Sequence, residues 1–219
     1  MILSEQEARV LGCLIEKSQA TPDYYPMTLN SLVAACNQKT SRDPVVNYSE
    51  TEVDEALRRL RDKGLCTHVT GDGRSIKFRH RCGDGGLELT EAQMAVLSLL
   101  LLRGSQTAGE LKARAGRQFD FPSLEAVQQT LESLMAGEFN YLEQAARRPG
   151  QKETRYRHLL FAYSDDTAMI NDETNERSLR EEVEALKRQV TALEGQNERL
   201  ALQLEILTEK VKHLEQELS

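Results

Sequence analysis

From Leu179 onward a leucine returns at every seventh position: Leu179, Leu186, Leu193, Leu200, Leu207 and Leu214. Between them, at alternating four-three spacing, stand Val183, Val190, Asn197, Leu204, Val211 and Leu218. A straight helix drifts off a strict 3.5-residue stripe, so a pattern held this long predicts a left-handed supercoil. Leucine at every d position with mostly valine at a favours two parallel strands. The lone a-position Asn197 fixes register and oligomeric state at some cost in stability. In a parallel homodimer the g-to-e pairs Glu182–Lys187 and Lys210–Glu215 attract. Residues 178–219 are therefore expected to form a leucine-zipper coiled coil, a rod of about 60 Å. Its dimerisation contacts are Leu179, Val183, Leu186, Val190, Leu193, Asn197, Leu200, Leu204, Leu207, Val211 and Leu214. Two alternatives stay open: pairing with another zipper protein, and a single amphipathic helix packed on the rest of the chain. Residues 163–177 are polar and read as a hinge.

Ahead of the zipper the chain repeats itself. With Leu3-Ser4-Glu5 placed over Leu89-Thr90-Glu91, an offset of 86, Val10, Leu11 and Leu14 fall on Val96, Leu97 and Leu100, and Thr21 falls on Thr107. Further on, Ser49, Val53, Leu57 and Leu60 match Ser123, Val127, Leu131 and Leu134 at an offset of 74. The loss of twelve in the offset puts about a dozen extra residues in the first copy, between its second and third elements.

Each copy reads as three helices and a hairpin. Ser4 and Glu7 form a capping box, followed by Val10, Leu11, Leu14 and Ile15 at helical spacing. Pro22 and Pro26 end that helix, and a second runs from about Thr28 to Cys36. Ser49 and Glu52 open a third, which Gly64 closes. Strands at about 65–70 and 76–81 flank Gly71-Asp72-Gly73, a hairpin-type turn. The second copy repeats this from Thr90 through Thr107 and Ser123 to strands at about 139–145 and 154–159. Three helices followed by a hairpin is the order of a winged helix, a variant of the helix-turn-helix. The expected fold class is mainly α (α+β): a winged helix over 1–82, another over 83–162, the hinge and the coiled coil.

The segments Ala35-Cys-Asn-Gln-Lys-Thr-Ser-Arg-Asp-Pro44, Leu101-Leu-Arg-Gly-Ser-Gln-Thr-Ala-Gly-Glu-Leu111 and Arg148-Pro-Gly-Gln-Lys-Glu-Thr-Arg-Tyr156 resemble the YceH-like family of uncharacterised bacterial proteins. The resemblance spans roughly residues 1–160. It implies two tandem winged-helix domains and no established activity.

The formal net charge of −7 speaks against a generic polyanion binder, but the acidity is local. Residues 1–80 carry 11 Lys and Arg against 11 Asp and Glu, residues 81–165 carry 10 against 11, and residues 166–219 carry 7 against 13. A near-neutral module can still bind nucleic acid if its cations share a face. Four cysteines without a CxxC pair, and no apolar run longer than Met94–Leu102, read as a reduced, cytoplasmic protein with no membrane partner.

The first copy's third helix opens with Glu50, Glu52, Asp54 and Glu55, which repel phosphate, and the second copy's offers Gln128, Gln129 and Glu132, polar but not cationic, so both speak against ordinary groove reading. The wings are more basic. Alternation puts Lys77, Arg79 and Arg81 on one strand face with Arg74 at the turn, and the second wing adds Arg147, Arg148, Lys152, Arg155 and Arg157. The extra loop supplies Lys39 and Arg42 beside Asn37 and Gln38. The leading expectation is a non-catalytic homodimer resembling a transcription regulator. Lys39, Arg42, Arg74, Lys77, Arg79, Arg147, Arg148 and Lys152 would contact the phosphates of double-stranded DNA. The alternative is an adaptor that presents paired winged helices to a protein partner. Neither a phosphate loop nor HExxH, GxSxG or a Rossmann glycine pattern occurs, so neither an enzyme nor a cofactor is expected. Cys66, His68, His80 and Cys82 alternate on one predicted hairpin and could converge on zinc. Their face also carries Ile76 and Phe78, so it reads instead as the inward side of the wing, with no metal.

Overall fold

The computed structural model describes residues 2–70, 75–136, 140–145 and 153–160, together with Glu184, Lys187, Arg188, Thr191, Gly195 and Arg199. It is a mixed α+β protein, with six α-helices and two small sheets among the described residues. Residues 1–163 form one compact unit and 164–219 a second.

In the first unit the repeat is plain. Helix α1 (Glu5–Ala20), strand β1 (Met27–Thr28), helices α2 (Leu29–Cys36) and α3 (Glu50–Asp62) and hairpin strands β2 (Cys66–Thr70) and β3 (Ile76–His80) make the first copy. Helix α4 (Glu91–Arg103), β4 (Gln106–Thr107), α5 (Ala108–Ala115), α6 (Leu124–Ala136), β5 (Leu142–Gln144) and β6 (Arg155–His158) make the second. Capping boxes start both copies: Glu7 N–H donates to Ser4 Oγ at 3.2 Å, and Gln93 N–H to Thr90 Oγ1 at 3.3 Å. Each hairpin recruits the residue pair ahead of the second helix as a third strand, giving antiparallel sheets ordered β1-β3-β2 and β4-β6-β5. The registers correspond: Thr28 faces Lys77 as Thr107 faces Arg155, and Cys66 faces His80 as Leu142 faces His158.

This register corrects the sequence alignment. Thr28, not Thr21, is the counterpart of Thr107, since both cap the second helix of their copy. The offset falls from 86 at the first cap to 79 at the second and 74 at the third. Seven of the extra residues therefore precede α2, where Pro22–Tyr24 form a 3-10 turn, and five follow it.

The two copies share one core. Residues Glu7–Ile15 of α1 and Met94–Leu102 of α4 are buried without a break, which an amphipathic surface helix would not allow. Each helix has neighbours on two sides, its own copy's helices and its counterpart, and α1 against α4 is the largest contact between elements. Gly12 sets how closely they cross. A Cβ there would lie 2.9 Å from Leu102 Cγ and 3.1 Å from Leu101 Cβ. Backbone bonds tie the copies further: Leu3 N–H donates to the Leu160 carbonyl at 2.5 Å, and Asp43 N–H to the Leu102 carbonyl at 2.8 Å.

In the second unit Glu184, Lys187, Arg188, Thr191, Gly195 and Arg199 are helical, with Lys187 paired to Glu184 at 2.9 Å. The expected dimer contacts, Leu179, Val183, Leu186, Val190, Leu193, Asn197, Leu200, Leu204, Leu207, Val211 and Leu214, lie outside the described residues, as does the hinge. Among the described residues no helix is long and apolar enough to cross a membrane.

Candidate nucleic-acid interface

Of the eight cations expected to meet phosphate, Arg74, Arg147, Arg148 and Lys152 lie outside the described residues. The other four separate into different roles.

Arg42 is a correction. Its side chain is wholly buried and forks onto Glu16, Nη1 to Oε1 at 3.1 Å and Nη2 to Oε2 at 2.6 Å. Its remaining donors reach the Ala35 and Ser41 carbonyls and Gln38 Oε1. Burial alone would raise the Glu16 carboxyl, but the Arg42 fork overrides it and holds Glu16 below the ordinary carboxylate range. Arg9, also buried, donates to the Cys36 and Pro44 carbonyls. The loop after α2 is thus a strap, pinned by two arginines and by Asp43 to the end of α4, and not a basic arm.

Arg79 pairs with Asp84 on the surface, both partly exposed. Such a pair is worth about 0–1 kcal/mol, so a phosphate can replace the carboxylate. Lys39 and Lys77 are exposed and form no ion pair among the described residues. In the second sheet, Arg155 is held by Glu110 at 2.9 Å and by the Ser105 carbonyl, and Arg157 by Glu143 at 2.5 Å.

The exposed face of α3 carries Glu50, Glu52 and Glu55, and its Arg58 and Arg59 are paired along the helix with Asp54 and Glu55. The corresponding face of α6 differs. Gln128, Gln129, Glu132 and Ser133 are exposed. Lys112 of α5 lies near enough to the first turn of α6 to act on Glu125, and Arg117 follows in the turn between the helices. Both cations are exposed and unpaired among the described residues. Reading the wings for charge overlooks Lys112 and Arg117. No charge pattern in the sequence marks them, and their place on α5 and in the turn before α6 is what the fold adds.

The face of the hairpin expected to point inward does so only at its base, where Cys66, Phe78 and Cys82 are buried and His80 is half-buried, whereas His68 and Ile76 toward the turn are exposed. Cys66 Sγ donates to the Leu57 carbonyl at 3.7 Å, and Cys82 is buried. His80 Nδ1 accepts from Cys82 N–H at 3.2 Å, which leaves the Nε2 proton to donate to Ser18 Oγ at 2.9 Å. Burial, aided by Arg79, pulls its pKa down to about 4, and the equivalent His158 falls to about 3 by burial beside Arg157. Both rings are neutral at pH 7. Among the described residues no three His, Cys, Asp or Glu side chains converge as a metal site.

Residues 3–151 match the family described as "Protein of unknown function, DUF480". The chain is 43% identical to a UPF0502 protein of Pectobacterium atrosepticum over 202 residues, which is 89% of this chain and 95% of the relative. It is 43% identical to the UPF0502 protein YceH of Escherichia fergusonii, covering 87% of this chain and 92% of the relative. With a UPF0502 protein of Koribacter versatilis it shares 47% identity over 73% of this chain and 74% of the relative.

Proposed function

Because the chain belongs to the DUF480 family, whose description assigns no activity, we propose its function from the geometry: a non-catalytic protein that binds duplex DNA through tandem winged helices. One observation carries the reading. Each copy has the helix, strand, helix, helix, hairpin order, with the short strand paired to the far strand of the hairpin, and each leaves the outer face of its third helix in solvent. That is the geometry by which a winged helix offers one helix to the major groove and its wing to the backbone.

The two copies do not share the work equally. Helix α6 is the reading helix, with Gln128 and Gln129 for base edges and Lys112 and Arg117 for flanking phosphates. Helix α3, acidic in its first turns, stands off the groove. Its copy contributes backbone contacts through Lys77, Arg79 and Lys39, and Arg74, Arg147, Arg148 and Lys152, which lie outside the described residues, are carried over from the sequence as further phosphate contacts. The heptads from Leu179 pair two chains, so that two such units address one duplex with a raised effective concentration.

A second reading, an adaptor for a protein partner, draws on the α3 carboxylates and on the withdrawal of Arg42 into the core. Salt separates the two. Phosphate contacts release counterions, so log affinity falls linearly with log salt by about 0.9 per contact. Fluorescence anisotropy of a labelled duplex against the full-length chain checks this. Steep weakening between about 50 and 200 mM salt supports DNA binding. Absence of binding at the low end favours the adaptor.

A further inference from the structure

Among the described residues of the second copy, one large apolar side chain is left in solvent: Leu124, 39% exposed, in the first turn of α6. The chain leading to it is held in place. Phe121 is buried, Phe119 packs edge-on against it with ring centroids 4.8 Å apart, and Ser123 Oγ accepts from Ala126 N–H at 3.2 Å. A single exposed leucine needs no explanation by itself, but its neighbours give it one. Gln128 stands one turn on along the same side of the helix, with Gln129 beside it. Both glutamines are exposed, and neither amide is hydrogen-bonded among the described residues.

The same stations of the first copy, at the offset of 74, carry Glu50, Asp54 and Glu55. There Asp54 pairs with Arg58 at 2.6 Å and Glu55 with Arg59 at 3.3 Å. The residues that correspond to those arginines in α6 are Glu132 and Ser133, so no cation ties the glutamines down. One repeat therefore yields a helix face closed by its own ion pairs and a second face left open.

We infer that the first two turns of α6 select A·T base pairs, with the Gln128 and Gln129 amides on adenine edges and Leu124 on a thymine methyl group. The inference rests on the DNA-binding reading above and adds to it the base pair that is read. In the major groove adenine presents N7 as an acceptor and its 6-amino group as a donor. A glutamine amide meets both, Nε2 donating to N7 and Oε1 accepting from the amino group. Thymine alone carries a methyl group there. Guanine presents two acceptors, which suit the donors of arginine or lysine, and α6 contains neither residue. The amino group of cytosine suits a carboxylate, and α6 has two. Glu125 is held below the ordinary carboxylate range by its own backbone N–H and the Ser123 hydroxyl, which occupy it at the helix start. Glu132 stands in the later half of the helix, past the residues that meet base edges.

The test selects duplexes from a randomised pool with the full-length chain, then measures anisotropy on the selected duplex and on two analogues of it. The selected site is expected to be rich in A·T pairs. Uracil in place of thymine removes the methyl group and should weaken binding about fourfold where Leu124 touches it. Replacing adenine with 7-deazaadenine removes the N7 acceptor and should weaken binding roughly fivefold or more. Leu124→Ala should bind the thymine and uracil duplexes alike, and Gln128→Ala with Gln129→Ala should bind the adenine and 7-deazaadenine duplexes alike. The analogue duplexes need only the parent chain, so they decide the matter if a variant fails to fold. A G·C-rich site, a pool without enrichment, or a parent chain indifferent to either analogue would overturn A·T selection while leaving DNA binding in place. Failure to retain any duplex at about 50 mM salt would remove both.

Discussion

Lys77 and Arg155 occupy one station of the repeat, each on the central strand of its sheet, opposite Thr28 and Thr107 respectively. Arg155 is held by Glu110 three residues past its threonine. The matching residue in the first copy is Ser31, so Lys77 has no carboxylate and stays exposed. The same backbone thus yields a fixed structural cation in one copy and a free one in the other.

Replacing Ser31 with Glu should close that difference. Glu at this position completes a capping box with Thr28, whose Oγ1 already accepts from Ser31 N–H at 3.3 Å, and stabilises α2 by roughly 0.5 kcal/mol. It also places a carboxylate beside Lys77. The expected outcome is a chain slightly harder to unfold that binds DNA more weakly, with the salt slope reduced by about one, as in Lys77→Ala. Arg155→Ala should leave that slope unchanged. Denaturant titration and salt-dependent anisotropy check both halves.

Removing Arg42 should act on the fold and not on DNA. Arg42→Ala strands Glu16 and several carbonyls in the interior and is expected to cost about 3 kcal/mol, the lower end for breaking a buried pair because Glu16 keeps some solvent contact. Arg42→Lys keeps the charge but loses the two-pronged geometry, so it should recover only part of this. Urea midpoints measure the loss. Under folding conditions the salt slope of DNA binding should match the parent chain, whereas a slope lowered by one would return Arg42 to the interface.

Much of this arrangement was legible in the residues. Ser4 with Glu7 and Ser49 with Glu52 mark helix starts by local chemistry alone, and the strand alternation placed Phe78 inside and Lys77 outside. What escaped is tertiary. The second helix reads from about Thr28 in the sequence, yet the ungapped repeat lays Thr21 over Thr107, and only the pairing of β1 with β3 shows that Thr28 is the true counterpart. The burial of Arg42 depends on Glu16, 26 residues earlier on another helix, and no local pattern reports such a partner. Lys112 and Arg117 gain meaning only once α5 is seen to flank the open face of α6.

Acid should weaken the first unit before its carboxylates titrate. His80 falls to about 4 in the folded chain, and an unfolded histidine lies near 6.5. Between these values the unfolded state binds more protons, so stability is full above about pH 6.5 and falls as pH drops toward 4. The His80 contribution amounts at most to about 3.5 kcal/mol, at about 1.4 kcal/mol per pH unit. His158 adds in the same direction. His80→Gln should flatten the profile between pH 4.5 and 6.5. An unchanged slope would remove the buried neutral imidazole from the account.

The crossing of α1 and α4 should resist any side chain at Gly12. Gly12→Ala gains helix propensity of about 1 kcal/mol but pushes into Leu101 and Leu102, and overpacking of this kind costs about 1–3 kcal/mol. Gly12→Val, larger and β-branched, should cost more. Leu102→Ala in the Gly12→Ala background should recover part of the loss, a non-additivity that a double-mutant cycle reads directly. Additive losses would mean that the two residues do not press on each other.

The most direct measurement is anisotropy of a labelled duplex against the full-length chain across a salt series, repeated with Lys112→Ala and Arg117→Ala together and with Gln128→Ala and Gln129→Ala together. DNA binding through α6 requires the cation pair to lower the salt slope by about two on every sequence, and the glutamine pair to leave the slope alone while erasing sequence preference. A parent chain that fails to bind duplex at about 50 mM salt, or binds it with no salt dependence, would contradict the reading.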